Sequence, residues 1–379
     1  MKIVSFYDIP KYEDEHRVFA PSAVTVIDYL CGCCQEFHEP VEIISAAETR
    51  NLKGKCPFRS EKISKGVRLT QAKSFGHRNR LFREVGKVKS RLWLVWYLLK
   101  YMKKDETVFF WDSPVLYEPL FLFRAFSKFK RVKILYFATE LFQEVLSFNF
   151  LKKRMEWKLF ETADKLVVAT EQLNGKVNRN NRPYIILHGV YKPAPLYGRR
   201  FQDGRRHIVY AGIINKKKGS GQAVGMAKYL DGSYHIHVLG YGTENEIRRL
   251  QKNIELSNKQ NDCKVSYEGV LSGEVYNEFL QKCDIGLCSQ NLNEKYNDSS
   301  FPSKILTYLA NGLRVISVDL KAIRTSQVGK LLYYSKSDSP KDLADAVMGI
   351  DYSQQYDSRS FLAGLHKKFS EEFEQLIRK

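Results

Sequence analysis

The stretch from Asp298 to Gly312 (Asp-Ser-Ser-Phe-Pro-Ser-Lys-Ile-Leu-Thr-Tyr-Leu-Ala-Asn-Gly) gathers residue types that could hold phosphate. Ser299 or Ser300 is placed to cap a helix, and Pro302 suits the first helical position, where no N–H is missed. Gly312 suits the left-handed residue after the helix end. The amino end of a helix presents N–H groups and a partial positive charge, and both attract phosphate. Lys304 adds a full charge in the first turn, where it opposes the helix dipole. Neutralising a diphosphate leaving group is chemistry that would ask for it. The same residues also make an ordinary capped surface helix with an incidental lysine.

Other candidates are less pointed. His235 and His237 alternate along one apolar run, which could serve a metal pair or two ordinary sheet positions. Cys31-Gly-Cys33-Cys34 contains a CxxC, but zinc needs a second ligand pair at compatible spacing, so buried thiols are expected. Clustered Asp-x-Asp ligands are not evident either, and no metal-binding residue is assigned. Seven cysteines in a chain without a secretory pattern fit a reduced, cytoplasmic protein.

The elements that must position these residues alternate between β-branched runs and helical periods. Strand-like runs fall at 3–6, 41–44, 108–111, 132–137 and 166–169. A proline- and glycine-rich connection follows, from Lys192-Pro193 to Asp203-Gly204. The alternation then restarts at 207–212, 235–240, 265–267, 284–288 and 314–318. This is the pattern of βαβ units on parallel sheets. The expected class is α/β, with domains at 1–192 and 205–352 and a C-terminal helix at 353–379. In that helix Phe361, Leu365, Phe369, Phe373 and Leu376 recur at three and four, so one face must be buried.

The 379-residue chain carries a net charge of +19, unevenly spread. Residues 50–104 hold 17 Lys or Arg against Glu61 and Glu84. Such a block fits membrane lipid, a phosphorylated acceptor or nucleic acid, or else a solvated face. The apolar run 92–99 lies between Lys87, Lys89, Arg91 and Lys100, Lys103, Lys104. It fits a helix on an anionic surface or a core helix with basic ends. No apolar run reaches the ~20 residues of a transmembrane helix, which suggests at most a peripheral place on the inner face of the cell membrane. None of the usual nucleic-acid-binding motifs is evident, and no nucleic-acid partner is expected.

Phe301-Pro-Ser-Lys-Ile-Leu-Thr-Tyr-Leu-Ala-Asn-Gly-Leu-Arg-Val-Ile-Ser317 resembles the donor-site helix of GT-B glycosyltransferases, above all the family 4 (group 1) retaining enzymes of bacterial polysaccharide synthesis. The likeness extends to Tyr210-Ala-Gly-Ile-Ile-Asn-Lys-Lys-Lys-Gly219, Leu239-Gly-Tyr-Gly242 and Tyr267-Glu-Gly-Val270. It also takes in Tyr136-Phe-Ala-Thr-Glu140, Ala163-Asp164 to Glu171, and His188-Gly-Val190. The resemblance implies two Rossmann-like domains facing across a cleft, the first for acceptor and the second for nucleotide sugar, with the C-terminal helix packing back on the first. It implies hexosyl transfer from a UDP- or GDP-sugar to a glycan or lipid-linked acceptor, with retention and without metal or resident cofactor. Lys218 and Lys304 would meet the diphosphate, Ser303 and Thr307 would hydrogen-bond the donor, and Gly212, Gly240, Gly242 and Gly269 would admit it closely. Glu140 would be the cleft carboxylate. The family's paired carboxylates are replaced by Ser299 and Thr307, its diphosphate arginine by Ile213 and its histidine by Thr139. Those losses keep open a non-catalytic partner subunit on the same fold.

Overall fold

The computed structural model describes residues 1–198, 200–215, 219–290, 292, 297 and 299–378, the side chain of residue 128 aside. The chain forms two compact units. Met1–Leu187 and Lys368–Lys379 make the first, and His188–Lys367 the second. The connection at 193–204 and the residues 353–367 therefore belong with the second unit, and only the end of the C-terminal helix belongs with the first.

The first unit carries β1 (Lys2–Val4), β2 (Val41–Ser45), the short β3 (Lys55–Cys56), β4 (Arg59–Ser64), β5 (Val67–Gln71), the short β6 (Ser74–Phe75), β7 (Thr107–Trp111), β8 (Lys133–Ala138), β9 (Lys165–Val168) and β10 (Tyr184–Ile186). Eight of these form one sheet in the order β10-β9-β8-β7-β1-β2-β5-β4. Its pairs are parallel except β4, which returns antiparallel to β5. That hairpin lies in the basic block and has no counterpart among the expected strands. Its alternating polar residues (Arg59, Glu61, Lys62) conceal a strand that is half exposed as a sheet edge.

Helices cover the sheet where their apolar faces meet it. Leu94, Tyr97 and Leu98, from the helix Arg80–Tyr101, join Val4, Ile44, Val108 and Phe110 in one core. On the C-terminal helix Ser358–Arg378, Phe369 and Phe373 stack 5.7 Å apart, and they meet Tyr29 and Phe37 of the helix Pro21–Glu36 and its end. Cys31, Cys33 and Cys34 are buried thiols on that helix, and burial pushes each of them up from the ordinary thiol range.

The second unit carries β11 (Arg206–Ala211), β12 (Tyr234–Leu239), β13 (Lys264–Gly269), β14 (Ile285–Cys288), β15 (Arg314–Val318) and β16 (Leu332–Ser335). All pairs are parallel, in the order β13-β12-β11-β14-β15-β16. Counted within the unit this is 3-2-1-4-5-6, the doubly wound order, and its direction reverses between β11 and β14. In such sheets ligands bind outside the strand carboxyl ends at that reversal.

Candidate functional site

The loops leaving β11, β12 and β14 meet at the reversal, and glycine is what lets them. A Cβ on Gly240 would lie 1.7 Å from the Gly212 carbonyl oxygen, and Gly240 itself has φ 136°. The Gly212 N–H donates to Leu239 O and the Gly240 N–H to Gly269 O, at 3.0 and 2.8 Å, so the ends of β11, β12 and β13 are tied edge to edge. One loop over, a Cβ on Gly242 would lie 2.6 Å from Ile214 O, and one on Gly219 only 1.9 Å from Ser289 O. Gly269 ends β13 in the left-handed region, with open space on its Cβ side. At Gly240, Gly242 and Gly219 the loops thus pack backbone on backbone with no room for a side chain.

The helix Lys304–Ala310 brings its charge to the same place. Its Tyr308 is fully buried against Gly286, where any Cβ would stand 2.4 Å from the ring. The Tyr308 hydroxyl accepts from the Ala211 N–H at 2.8 Å and donates to Leu287 O at 3.4 Å, which bolts the helix across β11 and β14. One turn earlier on the same face, the Lys304 ammonium sits 4.3 Å above the Tyr210 ring. A Cβ on Gly212 would stand 3.1 Å from that ammonium. Burial pushes the Cys288 thiol up to about 11, with Lys304 pulling the other way.

The helix itself begins later than the sequence suggests. Ser303, not Ser299 or Ser300, occupies the N-cap position, and it makes no side-chain cap bond. Ser303 is exposed, while Ser299 is buried. Thr307 is half-buried and donates back to Ser303 O at 3.4 Å. The other end is as expected. Gly312 takes φ 83°, Leu313 N–H reaches Tyr308 O and Gly312 N–H reaches Leu309 O, a Schellman closure. Gly212, Gly240 and Lys304 are therefore brought together, Gly242 and Gly269 line the neighbouring loops, and Lys218 lies outside the described residues.

Glu140 belongs to the first unit, half-buried just beyond β8. Beside it is a residue that the motif reading missed. Asp112 follows β7 and is buried, accepting from the Tyr136 hydroxyl, from Thr139 N–H at 2.9 Å and from Thr139 Oγ1 at 3.1 Å. Burial raises its carboxyl to about 7 against those donors. A carboxylate directly after a strand was the available cue. Tyr210, Tyr308, Gly219 and Gly286 were likewise missed as site builders, because their roles are contacts between distant segments.

His235 and His237 lie with His207 on the opposite face of the second sheet from its main core. Their ligating nitrogens fall within 4.8 Å of one another. His207 Nδ1 and His237 Nε2 are 2.8 Å apart, a hydrogen-bond distance and shorter than the ~3.3 Å between ligands at ~2.0 Å from tetrahedral zinc. The outer nitrogens face Asp203 at 2.9 Å and Glu268 at 2.8 Å, and His235 Nε2 faces Ser266 Oγ at 2.9 Å. Phe201 stacks over His207 and His237. The cluster is a hydrogen-bonded chain across β11, β12 and β13.

No family model matches the sequence, and no curated protein sequence is significantly similar to it. Solved structures do match over the full length. A trehalose 6-phosphate synthase from Burkholderia multivorans superposes with a TM-score of 0.68 at 11% identity, covering 100% of this chain and 96% of that one. HepE of Anabaena, in complex with UDP, gives 0.63 at 10%, with 99% of each chain covered. A glycosyltransferase from Rickettsia africae gives 0.64 at 12%, covering 100% and 99%. The chain has the GT-B fold of two Rossmann-like units.

Proposed function

We propose that the chain is a glycosyltransferase that moves a hexosyl group from a nucleotide diphosphate, a UDP- or GDP-sugar, to a glycan or lipid-linked acceptor. The observation that carries this is the Lys304 ammonium held over Gly212 at the strand reversal, where bare backbone and fixed charge coincide. The GT-B neighbours include HepE solved with UDP and glucose, which supports a nucleotide-sugar donor. In this reading the anomeric C–O bond to the diphosphate breaks and the acceptor oxygen bonds the anomeric carbon, losing its proton. Lys304 and Lys218 neutralise the departing diphosphate, so the reaction needs no divalent cation. Ser303 and Thr307 hydrogen-bond the donor, Gly212, Gly240, Gly242 and Gly269 admit it, and Glu140 is the carboxylate assigned to the reaction. Retention of configuration, cell-surface polysaccharide as product, and a peripheral place on the inner membrane face complete the proposal. No helix among the described residues is long and apolar enough to cross a membrane.

A second reading, a non-catalytic subunit on the same fold, is favoured by Ser299 and Thr307, which stand where the related pattern has carboxylates. Calorimetry with UDP, GDP and their sugars, then donor turnover with and without EDTA, separates the two. The enzyme reading expects binding and EDTA-insensitive turnover. Binding without turnover on lipid-linked acceptors favours the subunit, and absence of binding to every sugar nucleotide overturns the enzyme reading.

A further inference from the structure

The first unit contains a cavity of about 760 Å³, within the ~300–1,000 Å³ of small-molecule sites. It lies between the loop 48–52, the strand β6 and the amino-terminal half of the helix Arg80–Tyr101. Its floor is built by a tight crossing. The Gly76 N–H donates to Gly54 O at 2.8 Å, and a Cβ on Gly76 would lie 1.7 Å from Asn51 O.

The lining has two kinds of chemistry. Arg50, Lys73, Arg80, Arg83, Lys87 and Lys89 bring six cations against Glu48 and Glu84. Glu84 is already paired with Lys87 at 2.7 Å, and burial pushes the Glu48 carboxyl up toward its neutral form. Like charges gathered at one cavity repel, and an anion between them relieves that repulsion. Beside the cations stand Leu52, Phe75, Phe82 and Trp93, of which the first three are exposed.

The helix wall continues this pattern outward. Its buried face begins only at Ser90, so its first turns stand clear of the core. On the other side Leu81, Val85, Val88, Leu92 and Trp96 are all exposed at spacings of four, three, four and four. That is an apolar stripe along one helix face, bordered by Lys and Arg, with Lys100 lying 4.8 Å over the Trp96 ring. A solvated cationic face, or one made for nucleic acid, has no need of such a stripe. An interfacial helix on an anionic lipid surface does.

We propose that this cavity binds the phosphate head of a lipid-anchored acceptor, while the exposed stripe beside it rests in the lipid interface that holds the acceptor's chain. The head is met by Arg80 and Arg83, and the first part of the chain by Phe75 and Phe82. The acceptor is thus an anionic amphiphile rather than a free sugar. Its identity as acceptor rests on the glycosyltransferase reading, whereas its binding does not.

Titration calorimetry of the full chain with farnesyl phosphate, farnesol, inorganic phosphate and, separately, UDP tests this. Farnesyl phosphate is expected to bind about tenfold or more tightly than farnesol or inorganic phosphate, a difference of ~1.4 kcal/mol. The double reversal Arg80→Glu, Arg83→Glu, at two exposed positions, is expected to abolish that preference and leave UDP affinity unchanged. Equal binding of farnesol and farnesyl phosphate overturns the proposal, and so does a preference that survives the reversal. Sedimentation with phosphatidylglycerol vesicles but no binding of farnesyl phosphate also overturns it, since the surface is then a membrane contact alone. Failure of both UDP and, in the same assay, GDP to bind while farnesyl phosphate does sinks the donor reading and leaves the pocket standing.

Discussion

At the scale of single residues, the crevice at the strand reversal depends on the Lys304 charge and on places where no side chain is allowed. Lys304 is held from below by the Tyr210 ring and sits one turn from the Tyr308 anchor, so its ammonium is placed rather than tethered loosely. Lys304→Met keeps most of the stem's packing and removes the charge. Transfer is expected to fall about 10²-fold, the scale of losing one preorganised group at a developing anion. The same variant weakens UDP binding with little change in thermal midpoint, which steady-state kinetics, calorimetry and a melting curve together check. An unchanged turnover number would remove Lys304 from the reaction. The glycines act in the opposite sense: Gly240 and Gly219 matter because carbonyl oxygens pass within 2 Å of where a Cβ would be. Motif matching picks out Gly240, but the partner that makes it necessary is Gly212, 28 residues earlier.

At the scale of elements, the second sheet carries its own response to pH through the histidines on β11, β12 and β13. Burial drives His235 down to about 3, so it stays neutral in the fold across the range where the unfolded chain takes up a proton. Its contribution is therefore complete above about 6.5 and is lost progressively as pH falls toward 3. The His237 hydrogen bond holds Glu268 down to about 2, a contribution present above the usual carboxylate range and lost as pH falls through 2. Both act in the same direction. Stability is expected to drop on acidification below pH 6.5, by at most about 1.4 kcal/mol per pH unit from His235. Urea unfolding from pH 7.5 to 4.5 reads this, and His235→Gln should flatten the slope above pH 5. An equal slope in the variant would assign the effect elsewhere. The contacts Asp203–His207, His207–His237 and His237–Glu268, at 2.9, 2.8 and 2.8 Å, tie these groups into one chain.

At the scale of the whole molecule, the two units carry two different surfaces: a glycine-lined crevice that holds Lys304 in the second and a basic, aromatic cavity in the first. A ligand that binds only the folded crevice stabilises the chain by mass action. UDP or GDP at a hundred times its dissociation constant is expected to add about 2.7 kcal/mol, read by denaturant unfolding, and no shift with either would contradict a nucleotide site. Much of this organisation was legible in the chain itself. The alternation of β-branched runs and helical periods gives parallel α/β units because period two and period 3.6 bury different faces. The Pro-Gly connection falls a few residues after the change of unit at Leu187/His188, inside the second unit, and the motif ending in Gly312 marks the helix that carries Lys304. What the chain alone could not give were facts made by contact between distant segments. Tyr308 is one residue in a helical run until it wedges onto Gly286 and meets Ala211. Asp112 is an ordinary aspartate until β7 and β8 enclose it. The helix Arg80–Tyr101 reads equally as core or as surface, and it is both, because Leu94 and Leu98 meet the sheet while Leu92 and Trp96 do not. Local spacing determined which elements form and which residues share a face. Only tertiary packing decided which faces are covered and which charges are left to act, since burial is a property of neighbours and not of sequence.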